Sequence, residues 1–124
     1  MNQVQFDTQK AVLVIDSDQT GTENLKRLFR ESDYRIYSAG TLKEGQKIMA
    51  GKKVGVILLM LRPPYQTPEI LITTLQKKQS DPIPPVIVIL ESFEEEVVAS
   101  ALKAGAVDFL TFPVDSRELI RRVG

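Results

Sequence analysis

The chain has 124 residues, and 16 Lys and Arg cancel 16 Asp and Glu to leave no net charge. It contains no Cys, His or Trp, which excludes a disulfide framework, a thiolate nucleophile, cysteine- or imidazole-ligated metals and a Ser-His-Asp triad. Any catalysis falls to carboxylates, hydroxyls, Lys, Arg or Tyr, and the charge balance, with an isoelectric point near 6.3, argues against broad electrostatic binding to nucleic acid or an anionic membrane.

The length suits one domain over residues 1–124, with residues 1–9 as a polar N-terminal extension. The longest nearly apolar stretch, Val54 to Leu61, is far too short to span a bilayer. No basic-then-apolar signal opens the chain, so a soluble cytoplasmic domain is expected.

The first apolar run, Ala11 to Ile15, is nearly continuous and β-branched, as in a strand buried on both faces. It ends at the acidic cluster Asp16-Ser17-Asp18. Thr20 and Glu23 then have capping-box spacing, and a helix is expected from Thr22 to Ser32. Tyr34 to Ala39 alternates like a shorter, more exposed strand. Thr41 and Glu44 give a second capping box, followed by a helix with Leu42, Gly45, Ile48 and Met49 on one face and Gly51 as its stop.

Val54 to Leu59 is the third strand, broken by Arg62-Pro63-Pro64 because proline lacks the ladder donor. Thr67-Pro68-Glu69 starts a third helix, whose inward face is Leu71, Thr74 and Leu75. Val86 to Leu90 is a fourth buried strand. Ser92 and Glu95 form a third capping box, before a helix with an inner stripe of Val98, Ala101, Leu102 and Gly105. Asp108 to Phe112 is a fifth strand, ended by Pro113. Asp115 with Glu118 caps a last helix carrying Leu119, Ile120 and Val123.

Five strand–helix units, with central strands lacking polar alternation, predict an α/β fold: an open, doubly wound, mostly parallel sheet with helices on both faces. In such a sheet function gathers at the carboxyl ends of the strands. The residues to interrogate are Asp16 to Asp18, Met60 to Arg62, Leu90 to Ser92, and Phe112.

At those positions the chain resembles the receiver domains of two-component response regulators, over roughly Lys10 to Val123. The resemblance rests on Val12 to Asp18, Val56 to Pro63, Pro85 to Val88 and, most specifically, Ala101 to Pro113. It implies a flavodoxin-like five-stranded sheet in the order 2-1-3-4-5. It also implies an acidic pair holding Mg²⁺, a phosphoacceptor Asp after strand three, a hydroxyl after strand four and a Lys after strand five. Asp16 keeps the first acid, but Ser17 replaces the second. Met60 stands at the phosphoacceptor position, Leu90 at the hydroxyl position and Phe112 at the lysine position. Phe109 matches an aromatic that the family uses as a rotameric switch.

A thioether has no oxygen to form an acyl phosphate and is a poor ligand for hard Mg²⁺. No Asp or Glu lies between Gly51 and Gln66, so the loss of the acceptor does not depend on the alignment. Met60, Leu90 and Phe112 together predict an apolar pocket where the family has a charged one. The expectation is a pseudo-receiver: not an enzyme, with no catalytic residue and no cofactor. Asp16 and Asp18 amount at most to a weak Mg²⁺ site.

Other readings stand beside these. Asp16 and Asp18 also suit capping of the first helix, and Glu94-Glu95-Glu96 a solvated first helical turn. Phe109 also reads as a strand aromatic, and Arg62 either as a partner for Asp16 or as an exposed surface arginine. One functional reading is phosphorylation-independent signalling by protein contact, through a face including Phe109 and Val114, with a homodimer among the possible partners. Its alternatives are a small-molecule sensor using the altered apolar site, and an atypical receiver still regulated in a phosphorelay. A further expectation is that the chain is one regulatory domain of a longer protein with an appended output domain. Direct nucleic-acid binding and membrane contact are not expected. The resemblance also implies a cis peptide at Phe112–Pro113.

Overall fold

Apolar runs with no polar face must be covered on both sides, and these runs form the middle of the sheet. The structure, a computed structural model, describes residues 11–30, 34–62, 67–77, 79, 82–112, 114 and 116–123. In chain order the elements are β1 (Ala11–Ile15), α1 (Gln19–Leu28), β2 (Arg35–Ala39), α2 (Leu42–Gly51), β3 (Val54–Leu61), α3 (Pro68–Gln76), β4 (Val86–Leu90), α4 (Glu95–Lys103), β5 (Asp108–Thr111) and α5 (Ser116–Val123). The five strands pair in parallel in the order β2-β1-β3-β4-β5. The predicted fold is thus the observed one. Every residue of β1 and β4 is buried, whereas β2, at one edge, buries only Ala39 fully.

The strands divide the core into two layers. Leu13, Ile15, Ile57, Leu59, Val88 and Leu90 meet Ile72 and Leu75 of α3 and Val98 and Ala101 of α4. Val12, Val14, Val56, Leu58, Met60 and Ile89 meet Leu25 of α1, Phe29 and Leu119 of α5. Alternate residues of one strand serve opposite layers, as the pleat requires. No helix among the described residues is long and apolar enough to cross a membrane.

Local signals account for most helix ends. Thr41 Oγ1 accepts the Glu44 N–H at 3.1 Å, and Glu44 Oε2 accepts the Gly40 N–H at 3.0 Å, so this capping pair closes as expected, one residue wider on the return bond. After α4, Gly105 adopts φ +113°, its N–H donates to Leu102 O, and the Ala106 N–H reaches back to Ala101 O. This is a Schellman closure, which requires a residue tolerant of positive φ.

Four expectations are corrected. Helix α1 starts at Gln19 rather than Thr22, because the Asp16 side chain accepts the Asp18 N–H at 3.0 Å and turns the chain into the helix at once. Thr20 therefore lies within the helix, not ahead of it. Thr67 precedes Pro68 as expected but makes no side-chain capping bond. The N-cap of α4 is Glu94 rather than Ser92, since the Val98 N–H donates to Glu94 O. The inner stripe of α4 runs through Val97, Val98, Ala101 and Ala104, which leaves Leu102 facing outward at 43% exposure. The proposed cap at Asp115 and the Phe112–Pro113 peptide lie outside the described residues, as do the side chains of Ile120 and Val123.

Candidate functional site

The chain leaves β1 for β2 on one side and returns to β3 on the other, which opens a crevice at the carboxyl ends of β1 and β3. Asp16 follows β1 directly, and its N–H donates to Ala39 O at the end of β2. Its side chain is fully buried. A buried carboxylate must find donors or a counter-charge, and Asp16 finds both in Arg62, the first residue after β3. Arg62 Nε lies 2.7 Å from Asp16 Oδ1 and Nη2 lies 3.0 Å from Oδ2, a two-pronged pairing that uses both oxygens.

The same guanidinium reaches two further acids. Arg62 Nη1 is 3.1 Å from Glu91 Oε1, in the turn after β4, and 4.0 Å from Asp18 Oδ2. One cation therefore links three segments: the β1–α1 turn, the end of β3 and the β4–α4 loop. Hydrogen bonding to Asp16 raises the Arg62 pKa, and the charges of Asp16, Asp18 and Glu91 add to this, against partial desolvation. Of the two sequence readings of Arg62, the partner of Asp16 is the one observed.

Gly21, in the first turn of α1, is buried against this cluster. A Cβ there would lie 2.5 Å from Asp16 Oδ2, 3.2 Å from Met60 Cε and in collision with Arg62 Nη2. The absence of a side chain at Gly21 lets the helix approach the ion pair. Sequence reasoning assigned no role to Gly21 or Glu91. A glycine just ahead of the expected helix start and five residues after Asp16 was the available signal for the former. For Glu91 the available signal was its place directly after the fourth apolar run, within the stretch Leu90 to Ser92.

The remaining predicted positions do not converge. Met60 is 7% exposed and packs in the α1/α5 layer, with Phe112 partly buried against the same layer. Leu90, fully buried, belongs to the α2/α3/α4 layer on the other side of the sheet. Leu90 thus packs in the opposite layer from Met60 and Phe112, as the alternation of the pleat sends their side chains. Ser17 is exposed. Phe109 is half-buried and sets its ring 5.7 Å from that of Phe93, in the β4–α4 loop. Val114 is half-buried against the α1/α5 layer. A small polar cavity of about 180 Å³ lies beside Asp16, Thr22, Lys26, Ser38 and Glu44, and a groove of about 480 Å³ lies at the opposite end of the sheet; Met60, Leu90 and Phe112 line neither.

Among the described residues of this edge, Asp16 is the fully buried carboxylate, and it is bonded to an arginine at the end of the neighbouring strand. Comparison with known proteins places the geometry in context. Residues 12–124 match the family described as the response regulator receiver domain. The chain is 26% identical over 115 residues to the hydrogenase transcriptional regulatory protein HoxA of Bradyrhizobium diazoefficiens, covering 93% of this chain and 23% of that protein. This chain thus spans about a quarter of that relative's length. Among solved structures, the Francisella response regulator 1452 receiver domain is 30% identical, with TM-score 0.74 and coverage of 92% of this chain and 93% of that one. A response regulator receiver domain from Bermanella marisrubri shares the fold, with TM-score 0.77, 22% identity and coverage of 93% and 95%.

Proposed function

The chain belongs to the response regulator receiver domain family, and on that premise we propose that it is a phosphorylation-independent member that regulates through protein–protein contact. The observation that carries this reading is the Arg62–Asp16 pair beside the buried Met60. Phosphoryl acceptance at the end of β3 needs a carboxylate oxygen, and Met60 offers a thioether. Mg²⁺ demands several oxygen ligands in near-octahedral array. Asp16, the acid retained from the family's pair, already directs both oxygens at a guanidinium. The residues present do not fit the metal, and Arg62 supplies the positive charge within the chain.

In this reading the module works as a scaffold of fixed charge state. Its contact face runs over β5 and the outward side of α4, with Phe109 and the exposed Leu102 contributing apolar area and Val114 at its margin. A cytoplasmic setting and an output domain attached to a longer chain complete the proposal; the transcriptional role in the printed name of the HoxA relative supports the latter. Amide NMR spectra tested with acetyl phosphate, and with beryllofluoride plus Mg²⁺, should show no change around Met60 and Asp16. A stoichiometric phosphorylated species by intact-mass analysis would overturn the proposal.

A further inference from the structure

The polar cavity of about 180 Å³ lies between α1, the end of β2 and the start of α2. Asp16 and Thr22 form its buried inner wall, and the exposed Glu23, Lys26 and Glu44 stand at its mouth. Thr22 is 4% exposed, and among the described residues its hydroxyl has no hydrogen-bond partner. No fully enclosed side-chain oxygen or nitrogen among the described residues lacks a partner. What remains accessible of Thr22 is therefore its hydroxyl, on the cavity wall. A polar group at this depth is costly unless the contents of the cavity bond it.

Two carboxylates of the cavity keep acceptor capacity. Each carboxylate oxygen accepts two bonds. Asp16 Oδ1 takes two, from Arg62 Nε and the Asp18 N–H, whereas Oδ2 takes one, from Arg62 Nη2. Glu44 gives Oε2 to the Gly40 N–H, and among the described residues its other oxygen and its charge are unmatched. Lys26, 3.8 Å from Glu23 Oε1, is the cation of the lining. The cavity thus offers acceptors along Asp16, Thr22 and Glu44, and one ammonium at its mouth. No group of acids among the described residues is placed to hold a metal ion. A primary ammonium suits these acceptors, because it presents three N–H donors on one compact head.

We propose that this cavity binds a small zwitterionic amino acid. Its ammonium donates to Asp16 Oδ2, Thr22 Oγ1 and Glu44 Oε1, and its carboxylate faces Lys26 at the mouth. At about 30 Å³ for each water of the liquid, the volume admits about six non-hydrogen atoms, the size of glycine or alanine. So few atoms give a Kd on the order of 1 mM. Met60 is not part of this lining, so the proposal stands or falls separately from the phosphorylation reading.

Titration of the intact chain with glycine and with alanine, followed by amide NMR at constant pH and salt, tests it. Saturable shifts are expected at Thr22, Glu23, Lys26 and Ser38 to Gly40. Ethylamine, which lacks the carboxylate of alanine, and propionate, which lacks its ammonium, should each bind roughly tenfold more weakly than alanine. Thr22→Val replaces the hydroxyl with a methyl group and should raise the alanine Kd roughly tenfold, with no fall in the urea midpoint. Lys26→Met, an exposed change, should weaken alanine binding and leave ethylamine binding unchanged. The absence of saturable shifts with glycine and alanine up to about 0.1 M, far above the expected Kd, would overturn the proposal. So would ethylamine or propionate binding as tightly as alanine, or a folded Thr22→Val variant that binds alanine as the parent does.

Discussion

Arg62→Met removes the guanidinium while keeping an unbranched side chain of similar length. Asp16 is then left with a fully buried carboxylate and, among the described residues, retains the bond from the Asp18 N–H. Breaking a buried pair from one side costs about 3–5 kcal/mol, most of it the desolvation of the stranded charge. With a urea slope of about 2 kcal/mol/M, the unfolding midpoint should drop by about 2 M. The pH profile sharpens the test. Because Arg62 is raised above its ordinary value, its contribution is complete below the unfolded guanidinium pKa and is lost only as pH rises through the still higher folded value. The parent protein therefore keeps that contribution unchanged from about pH 5 to 9. The double variant Asp16→Asn, Arg62→Met should regain much of the loss, giving a coupling energy above about 1.5 kcal/mol. A deficit below about 1 kcal/mol at neutral pH, or additive single changes, would refute the assignment of this pair as the link across the sheet edge.

Gly21→Ala should destabilise by about 1–3 kcal/mol in urea unfolding even though alanine is the better helix former, because the methyl group meets Asp16, Arg62 and Met60; the cost should be smaller with Arg62→Met already present. Gly105→Ala meets no neighbouring atom but must hold φ +113°, so a loss of about 1–2 kcal/mol is expected. Gly51→Ala, equally open and without positive φ, should instead stabilise by about 0.4–1 kcal/mol, and the opposite signs separate conformation from contact. Burial raises the Tyr34 phenol, whose ring stands edge-on to Phe29 at 5.8 Å. Its contribution is present below the ordinary tyrosine pKa of about 10 and declines as pH rises through the folded value, and Tyr34→Phe should flatten that alkaline slope in thermal melts.

Much of the fold was legible because its signals are local. Three runs of aliphatic residues have no polar alternation, and each is followed by a loop and a helical pattern, which suffices for a parallel sheet covered on both sides. Thr41 with Glu44, and Pro68, placed helix ends correctly because caps act within four residues of one another. The misplacements arose where a distant or side-chain contact intervened. Asp16 starts α1 early by accepting the Asp18 N–H. Leu102 turns outward because small residues on the neighbouring face, Ala101 and Ala104, pack against the sheet layer.

The site divided in the same way. Composition and order alone determined that no acid stands near the end of β3, that Cys and His chemistry is absent, and that the charges sum to zero. Those statements need no coordinates, since they hold for any arrangement of the chain. Only the tertiary structure decided where the charges go: Arg62 to Asp16 and Glu91, residues 46 and 29 positions away along the chain, with Gly21 cleared to admit them. It also decided that Met60 and Leu90 lie on opposite sides of the sheet. Strand pairing brings sequence-distant residues together and the pleat sends neighbours apart, so the partners of a charge follow from register rather than from spacing.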